Sequence, residues 1–211
     1  TLGTWLTIPS VLIPELYSKS ELDWICVDME HTSINLRDLE NIIISSHNNN
    51  IPVLVRVGDH DQNTIKRIMD IGATGIIAAN VRNANEVKNL VDALKYPPKG
   101  LRGLGLYRAQ GYGDNLNNYY RWNNSQSVLI IQIESKEGIE NIKDITKNKN
   151  IDAVMVGPYD LSASLGVPGE FKSTKYQNAL SVVIKQLKIK NIPAGIHVVS
   201  PNINEAKSFI K

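Results

Sequence analysis

The stretch PVLVRVGDHDQNTIKRIMDIGATGIIAA, Pro52 to Ala79, decides how the rest of the chain is read. Pro52 to Val57 is a short apolar run with β-branched residues, the composition of a strand buried on both faces. A polar turn follows, Gln62 to Ile71 reads as a helix, and Gly75 to Ala79 (GIIAA) reads as a second buried strand. A strand, a helical crossover and another apolar strand imply parallel pairing, because a tight hairpin cannot join parallel neighbours.

The same unit recurs outward in both directions. Towards the N-terminus, Thr4 to Ile8 reads as a strand with a helix to about Ser18, and Trp24 to Asp28 (WICVD) as a strand with a helix over Leu36 to Asn48. Towards the C-terminus, the helix Asn85 to Leu94 follows the fourth strand. The stretch 96–124 then breaks the rhythm: rich in Gly, Asn, Tyr and Arg, it reads as a long functional loop with short local structure. Val128 to Glu134 (VLIIQIE) restores the pattern as a fifth strand, followed by a helix over Lys136 to Lys147. Ala153 to Val156 is a sixth strand, with a loop and then a helix from about Ser173 to Lys190. Ala194 to Val199 is a seventh, with a last helix over Ile203 to Ile210. A closed barrel and an open doubly wound sheet both fit this alternation. No G-x-G-x-x-G follows a strand, which weakens the dinucleotide-binding form of the open sheet. The expected fold is α/β, a (β/α)₈ TIM barrel in one domain over residues 1–211, with the last β/α unit missing.

Composition excludes more than it selects. The 211 residues are 42% hydrophobic and 21% charged, with a formal net charge of +2. That is ordinary globular composition, long enough for a sizeable core. No basic block argues for nucleic acid, and no apolar run is long enough to suggest a membrane span or signal peptide. The single cysteine, Cys26, cannot form an internal disulfide, so a reducing, cytoplasmic setting is expected.

In a parallel barrel the active site lies at the C-terminal ends of the strands, and polar residues gather there in this chain. Glu30 and His31 follow the second strand, Arg56 closes the third and Asn80 follows the fourth. Gln132 and Glu134 end the fifth, Gly157-Pro158-Tyr159-Asp160 follows the sixth, and His197 falls in the seventh. Glu134 and Asp160 hold equivalent places in consecutive units, and two carboxylates with open water positions suit a hard divalent cation such as Mg²⁺ or Mn²⁺. Helix capping would explain the same two residues. Gly157-Pro158 favours the ligand reading, since a small residue before a rigid turn lets backbone N–H groups approach a bound molecule. Arg56 ends a run otherwise fit for a barrel interior and needs an anion there, either a protein carboxylate or a substrate oxygen. Asp70, late in its helix, reads on its own as a surface residue, and Trp5 and Trp24 as core or rim.

Taken together, these blocks resemble the class II pyruvate aldolases of the HpcH/HpaI aldolase/citrate lyase family. The resemblance is carried by Gly3-Thr4-Trp5-Leu6, Asp23-Trp24 through Val27-Asp28-Met29-Glu30-His31, Val55-Arg56, Ile65-Lys66 with Met69-Asp70-Ile71-Gly72-Ala73, and Tyr96-Pro97-Pro98 with Arg102-Gly103-Leu104-Gly105. It continues through Gln132-Ile133-Glu134 and Val156-Gly157-Pro158-Tyr159-Asp160-Leu161-Ser162. The resemblance implies a barrel of the phosphoenolpyruvate/pyruvate type that cleaves a 4-hydroxy-2-oxo acid to pyruvate and an aldehyde, or condenses them. It implies Glu134 and Asp160 as ligands of a divalent metal, Mg²⁺ or Mn²⁺ with Co²⁺ also admitted. It implies Arg56 beside the pyruvate keto oxygen, and His31 paired with Asp70 as the acid/base machinery. Gln132 is implied near the metal, with the backbone from Gly157 through Pro158 and Tyr159 to Asp160 receiving the substrate carboxylate. A homo-oligomer, a hexamer by the same resemblance, is implied as well. No Schiff-base lysine is needed; the only lysine inside the motif blocks, Lys66, lies in the third helix. An acyl-CoA lyase of the same superfamily and a non-catalytic 2-oxo-acid-binding barrel stay open as alternatives. Thr32-Ser33 and His197 depart from the common pattern of relatives. The absent eighth strand and helix lead to the expectation that the natural protein is longer than this chain, or that the segment is disordered.

Overall fold

The computed structural model describes residues 1–199 and Asn204. Of the helix expected over Ile203 to Ile210 only Asn204, which is helical, falls among the described residues. Among the described residues seven parallel strands follow chain order in one sheet: β1 (Gly3–Leu6), β2 (Trp24–Asp28), β3 (Val53–Val57), β4 (Gly75–Ala78), β5 (Val128–Ile133), β6 (Ala153–Val156) and β7 (Ala194–Ile196). The expected alternation of strands and helices is present. The chain divides into two compact units, Thr1–Ile77 with Asn89–Leu129, and Ala78–Lys88 with Ile130–Lys211.

In the first unit, β1, β2 and β3 pair in parallel, with Asp28 opposite Arg56 at the last step of the β2–β3 register. Every residue of β3 is buried, and only Trp24 of β2 is not. Burial on both faces explains why these strands read as continuous apolar runs. The covering helices are α1 (Leu12–Tyr17), α2 (Leu36–Asn48), α3 (Gln62–Ile71) and the end of α4 (Ala84–Leu94). Asn35 starts α2 with a capping box: its side-chain oxygen accepts from Arg37 and Asp38 N–H at 2.9 and 3.1 Å, and Asp38 Oδ2 accepts the Asn35 N–H at 3.2 Å. Asp61 caps α3 by accepting the Thr64 N–H at 2.7 Å, and Gly72 ends it at φ +117°.

The stretch expected to be a loop is more ordered than its composition suggests. It holds a 3₁₀ helix, Arg108–Gly113, and a full helix, α5 (Leu116–Gln126). The asparagines of α5 are poor helix formers, but tertiary contacts override propensity. Asn123 is buried, accepting the Tyr96 N–H at 3.2 Å and donating to Leu94 O at 3.1 Å.

In the second unit, β5, β6 and β7 pair in parallel. The helix expected over 136–147 is broken into α6 (Lys136–Glu140) and α7 (Ile142–Ile145). The break falls at Asn141, whose side-chain amide donates to Arg82 O at 2.9 Å. A short helix, α8 (Pro158–Ser164), fills what was expected as loop after β6, with Pro158 in its first turn. Then α9 (Thr174–Lys190) ends in a left-handed Asn191. Among the described residues no helix is long and apolar enough to cross a membrane.

Candidate active site

In the first unit the polar residues at the strand ends form one connected cluster. Arg56 is buried at the end of β3, and its Nε and Nη2 donate to the two oxygens of Asp28 at 2.9 and 2.6 Å. This fork-to-carboxylate geometry is the strong form of the ion pair. Asp28 also shapes the turn after β2, its Oδ1 accepting the N–H groups of Glu30 and His31 at 3.0 and 3.3 Å. Burial pushes the Asp28 carboxyl upward, but the hydrogen bonds and charge of Arg56, with those two N–H groups, outweigh it and hold the carboxyl below its usual range. The Trp5 ring lies against the guanidinium, 4.4 Å from Arg56 Cζ to the ring centroid. Glu30 Oε2 stands 3.4 Å from Arg56 Nε and 3.6 Å from His31 Nε2. Nη1 is the guanidinium nitrogen left without a protein partner among the described residues.

The His31 side chain is 66% exposed, and its charged neighbour is Glu30. Among the described residues His31 and Asp70 are not paired with each other. Asp70 instead accepts from Arg102 Nη2 at 2.5 Å and from Gln110 Nε2 at 2.8 Å. The Arg102 side chain is fully buried, its Cζ 4.6 Å from the Tyr96 ring centroid and 5.4 Å from that of Tyr119. Arg102 Nη1 donates to the Tyr119 hydroxyl at 3.2 Å, and that hydroxyl donates to Met69 O at 2.9 Å. Burial, opposed by the Arg102 charge, leaves the Tyr119 phenol raised to about 12. Asp70 is thus the anion that a buried arginine requires. A groove of about 520 Å³ beside it, bordered by Arg37, Glu40, Arg67 and Tyr107, carries both signs of charge and singles out no ligand.

In the second unit, Glu134 follows β5 and is only 7% exposed. Its Oε1 accepts the Asn80 N–H at 2.7 Å and its Oε2 accepts from Gln132 Nε2 at 2.6 Å. Gln132 Oε1 is buried with no hydrogen-bond partner. Gly157 closes over this pair so tightly that a Cβ there would lie 2.2 Å from Glu134 Oε2 and 2.8 Å from Gln132 Nε2. Pro158 and the exposed Tyr159 and Asp160 open α8 directly after it.

This donor set fits a hard divalent cation. A buried carboxylate and an orphaned buried amide oxygen are oxygen donors, and Gly157 lies against them where any side chain would clash. Among the described residues no group of three or more His, Cys, Asp or Glu side chains forms a closed metal cage. A site of few carboxylates, completed by water or substrate oxygens, is the kind such a cation occupies in an enzyme. His197 follows β7, half-buried.

The sequence pattern put Glu30 among the polar residues at the strand ends but gave Asp28 and Trp5 no site role. The signal for Asp28 was available: a buried Arg56 at one strand end calls for a carboxylate one strand over, and WICVD ends in one.

A chain from Roseobacter denitrificans named hydroxypyruvate/pyruvate aldolase is 32% identical over 196 residues, 92% of this chain and 76% of that one. A 2-dehydro-3,6-dideoxy-6-sulfogluconate aldolase from Pseudomonas putida is 35% identical over the same shares of each chain. The crystal structure of an HpcH/HpaI aldolase from Desulfitobacterium hafniense superposes with a TM-score of 0.89 at 27% identity, covering 98% of this chain and 81% of that one. The profile described as HpcH/HpaI aldolase/citrate lyase matches residues 2–211, and the chain belongs to that family.

Proposed function

We propose that the chain is a metal-dependent pyruvate aldolase, cleaving a 4-hydroxy-2-oxo acid to pyruvate and an aldehyde or running the condensation. The observation that carries the reading is the buried Glu134 carboxylate, set against the orphaned Gln132 amide oxygen under Gly157, in a member of this family. Glu134 and Asp160 would hold the divalent ion, Mg²⁺ or Mn²⁺, which supplies Lewis-acid polarisation of the 2-oxo acid when bound. The turn from Gly157 through Pro158 and Tyr159 to Asp160 receives the substrate carboxylate, with Gln132 beside it.

Arg56 directs its Nη1 hydrogens at the keto oxygen, where negative charge develops as the carbon–carbon bond breaks. Asp28 and Trp5 keep that guanidinium in one orientation. His31, exposed next to Glu30, exchanges the proton with the substrate, a role worth roughly 10²–10⁴-fold for a positioned base. Asp70 acts through Arg102, by fixing the segment that follows Tyr96, rather than through His31. The relatives at 32% and 35% identity are named for hydroxypyruvate or pyruvate and for a sulfogluconate, which supports this substrate class over an acyl-CoA. A binding-only barrel would have no use for Glu134, Asp160 and Arg56 together. The protein works in the cytoplasm as a homo-oligomer, hexameric by family habit, in which the exposed side chains of Leu101, Leu104, Leu106 and Tyr112 are covered.

Methyl-proton exchange tests the reading. Metal-stripped protein is incubated with pyruvate in D₂O, Mg²⁺ is added, and loss of the methyl signal is followed by NMR. Exchange that requires Mg²⁺ and disappears in Glu134→Gln is the expected result; a folded wild type without exchange overturns it.

A further inference from the structure

We propose that Asn80 is a positioning residue that sets the metal-binding carboxylate through its backbone, and that asparagine stands there for its tolerance of a left-handed conformation. Asn80 follows β4 at φ +48°. Few L-residues other than asparagine and aspartate take that region, and β-branched ones are outliers there. Its side chain is exposed and makes no hydrogen bond among the described residues, so the backbone carries whatever the position does.

The hydrogen bonds show what the conformation achieves. Asn80 N–H donates to Glu134 Oε1 at 2.7 Å, and Val81 N–H, the next along the chain, donates to Gln132 O at 3.0 Å. In an extended strand successive N–H groups point to opposite sides. Here two in a row turn to the same short segment, the end of β5, because the residue between them is left-handed. The two N–H groups divide the work: that of Asn80 fixes the Glu134 carboxylate, and that of Val81 fixes the backbone of the strand end that carries it. The next residue is tied down as well, with Arg82 O accepting from Asn141 Nδ2 at 2.9 Å. With Oε1 held by Asn80 and Oε2 by Gln132, the carboxylate cannot rotate. A carboxylate fixed before a cation arrives binds it without first losing rotamer freedom.

The inference rests on the reading that Glu134 binds the cation, and the test separates the two. Mn²⁺ affinity is measured from the EPR signal of free ion, on metal-stripped wild type, Glu134→Gln, Asn80→Gly, Asn80→Ala and Asn80→Val. Circular dichroism and thermal unfolding verify that each variant is folded. Glycine adopts the left-handed region freely, alanine with strain and valine worst. The expected order is therefore Asn80→Gly within about twofold of wild type, Asn80→Ala several-fold weaker and Asn80→Val roughly tenfold weaker or more. A purely structural role would lower unfolding temperatures in that order and leave the Mn²⁺ affinity of the folded variants level, which overturns the proposal. Loss of affinity in Asn80→Gly overturns it too, since the side chain would then be the active part. Equal, weak binding by wild type and Glu134→Gln strikes the metal-site reading instead.

Discussion

Replacing Asp28 by asparagine keeps the shape at the end of β2 and removes only the charge that faces Arg56. Both groups are buried, Asp28 at 3% and Arg56 at 8% exposure. In the variant an amide oxygen can still accept from Arg56 Nε or from the Glu30 and His31 N–H groups. At the Oδ2 position, 2.6 Å from Arg56 Nη2 in the wild type, an NH₂ group would meet another donor. Removing one partner of a buried pair typically costs about 3–5 kcal/mol, because the remaining charge stays buried without compensation. Glu30 at 3.4 Å and the Trp5 ring at 4.4 Å absorb part of that charge, which places the expected loss near the lower end, at about 3 kcal/mol.

The assay is urea unfolding at pH 7 and again below pH 4, with the slope compared to exclude a change in the unfolded state. The Asp28 carboxyl is held below its ordinary value in the folded protein. Its contribution is therefore complete above the unfolded carboxyl value of about 3.9 and is lost as pH falls through the lower folded value. Asp28→Asn should be less stable at neutral pH and should lose less on acidification. The double variant Asp28→Asn/Arg56→Met, which removes both partners, should recover part of the loss. A single-variant loss under about 1 kcal/mol, or an acid limb unchanged from wild type, would refute the pairing argument, since buried pairs cost several times that when broken.

Gly157→Ala should abolish tight Mn²⁺ binding in EPR titration, because its Cβ would fall 2.2 Å from Glu134 Oε2; unchanged affinity would show that Gly157 does not close over the carboxylate. The strain should also lower stability by about 1–3 kcal/mol in urea unfolding. Tyr119, with its phenol raised to about 12, should stay un-ionised past the ordinary phenol value of about 10 in an absorbance titration at 295 nm. Its folded value lies above the unfolded one, so its share of stability is whole below pH 10 and declines as pH rises towards 12. Full ionisation of every tyrosine by pH 11 in the folded protein would contradict the buried Arg102–Tyr119 contact.

The barrel units were legible because burial on both faces leaves a strand no choice but an apolar run. The limits expected for β2, α2, α3 and β6 coincide with those observed. The stretch 96–124 was not legible, because what makes α5 a helix is the burial of Tyr119 and Asn123 rather than local propensity. The helix α8 escaped as well: seven residues are too few for periodicity to register, though proline in the first turn was a usable sign. Among site residues, those with unusual chemistry for their place, Arg56 and Glu134, could be picked out. Asn80 stood out only as a polar residue after a strand, since a backbone donor leaves no trace in side-chain type.

The partner of Arg56 shows most plainly what a sequence leaves open. A buried guanidinium there needed an anion, and a protein carboxylate and a substrate oxygen were equally good answers. The structure supplies the protein carboxylate. Asp28 takes Nε and Nη2, and Nη1 remains. With Glu30 also within 3.4 Å, one guanidinium stands beside two carboxylates, so the cluster is not a net positive attractor. It cannot draw in a carboxylate substrate by charge alone. What Arg56 offers is a directed pair of N–H bonds held rigid by its neighbours, and preorganised donors of that kind discriminate a developing oxyanion from a neutral ketone. The attraction for the substrate's own negative charge then has to come from elsewhere.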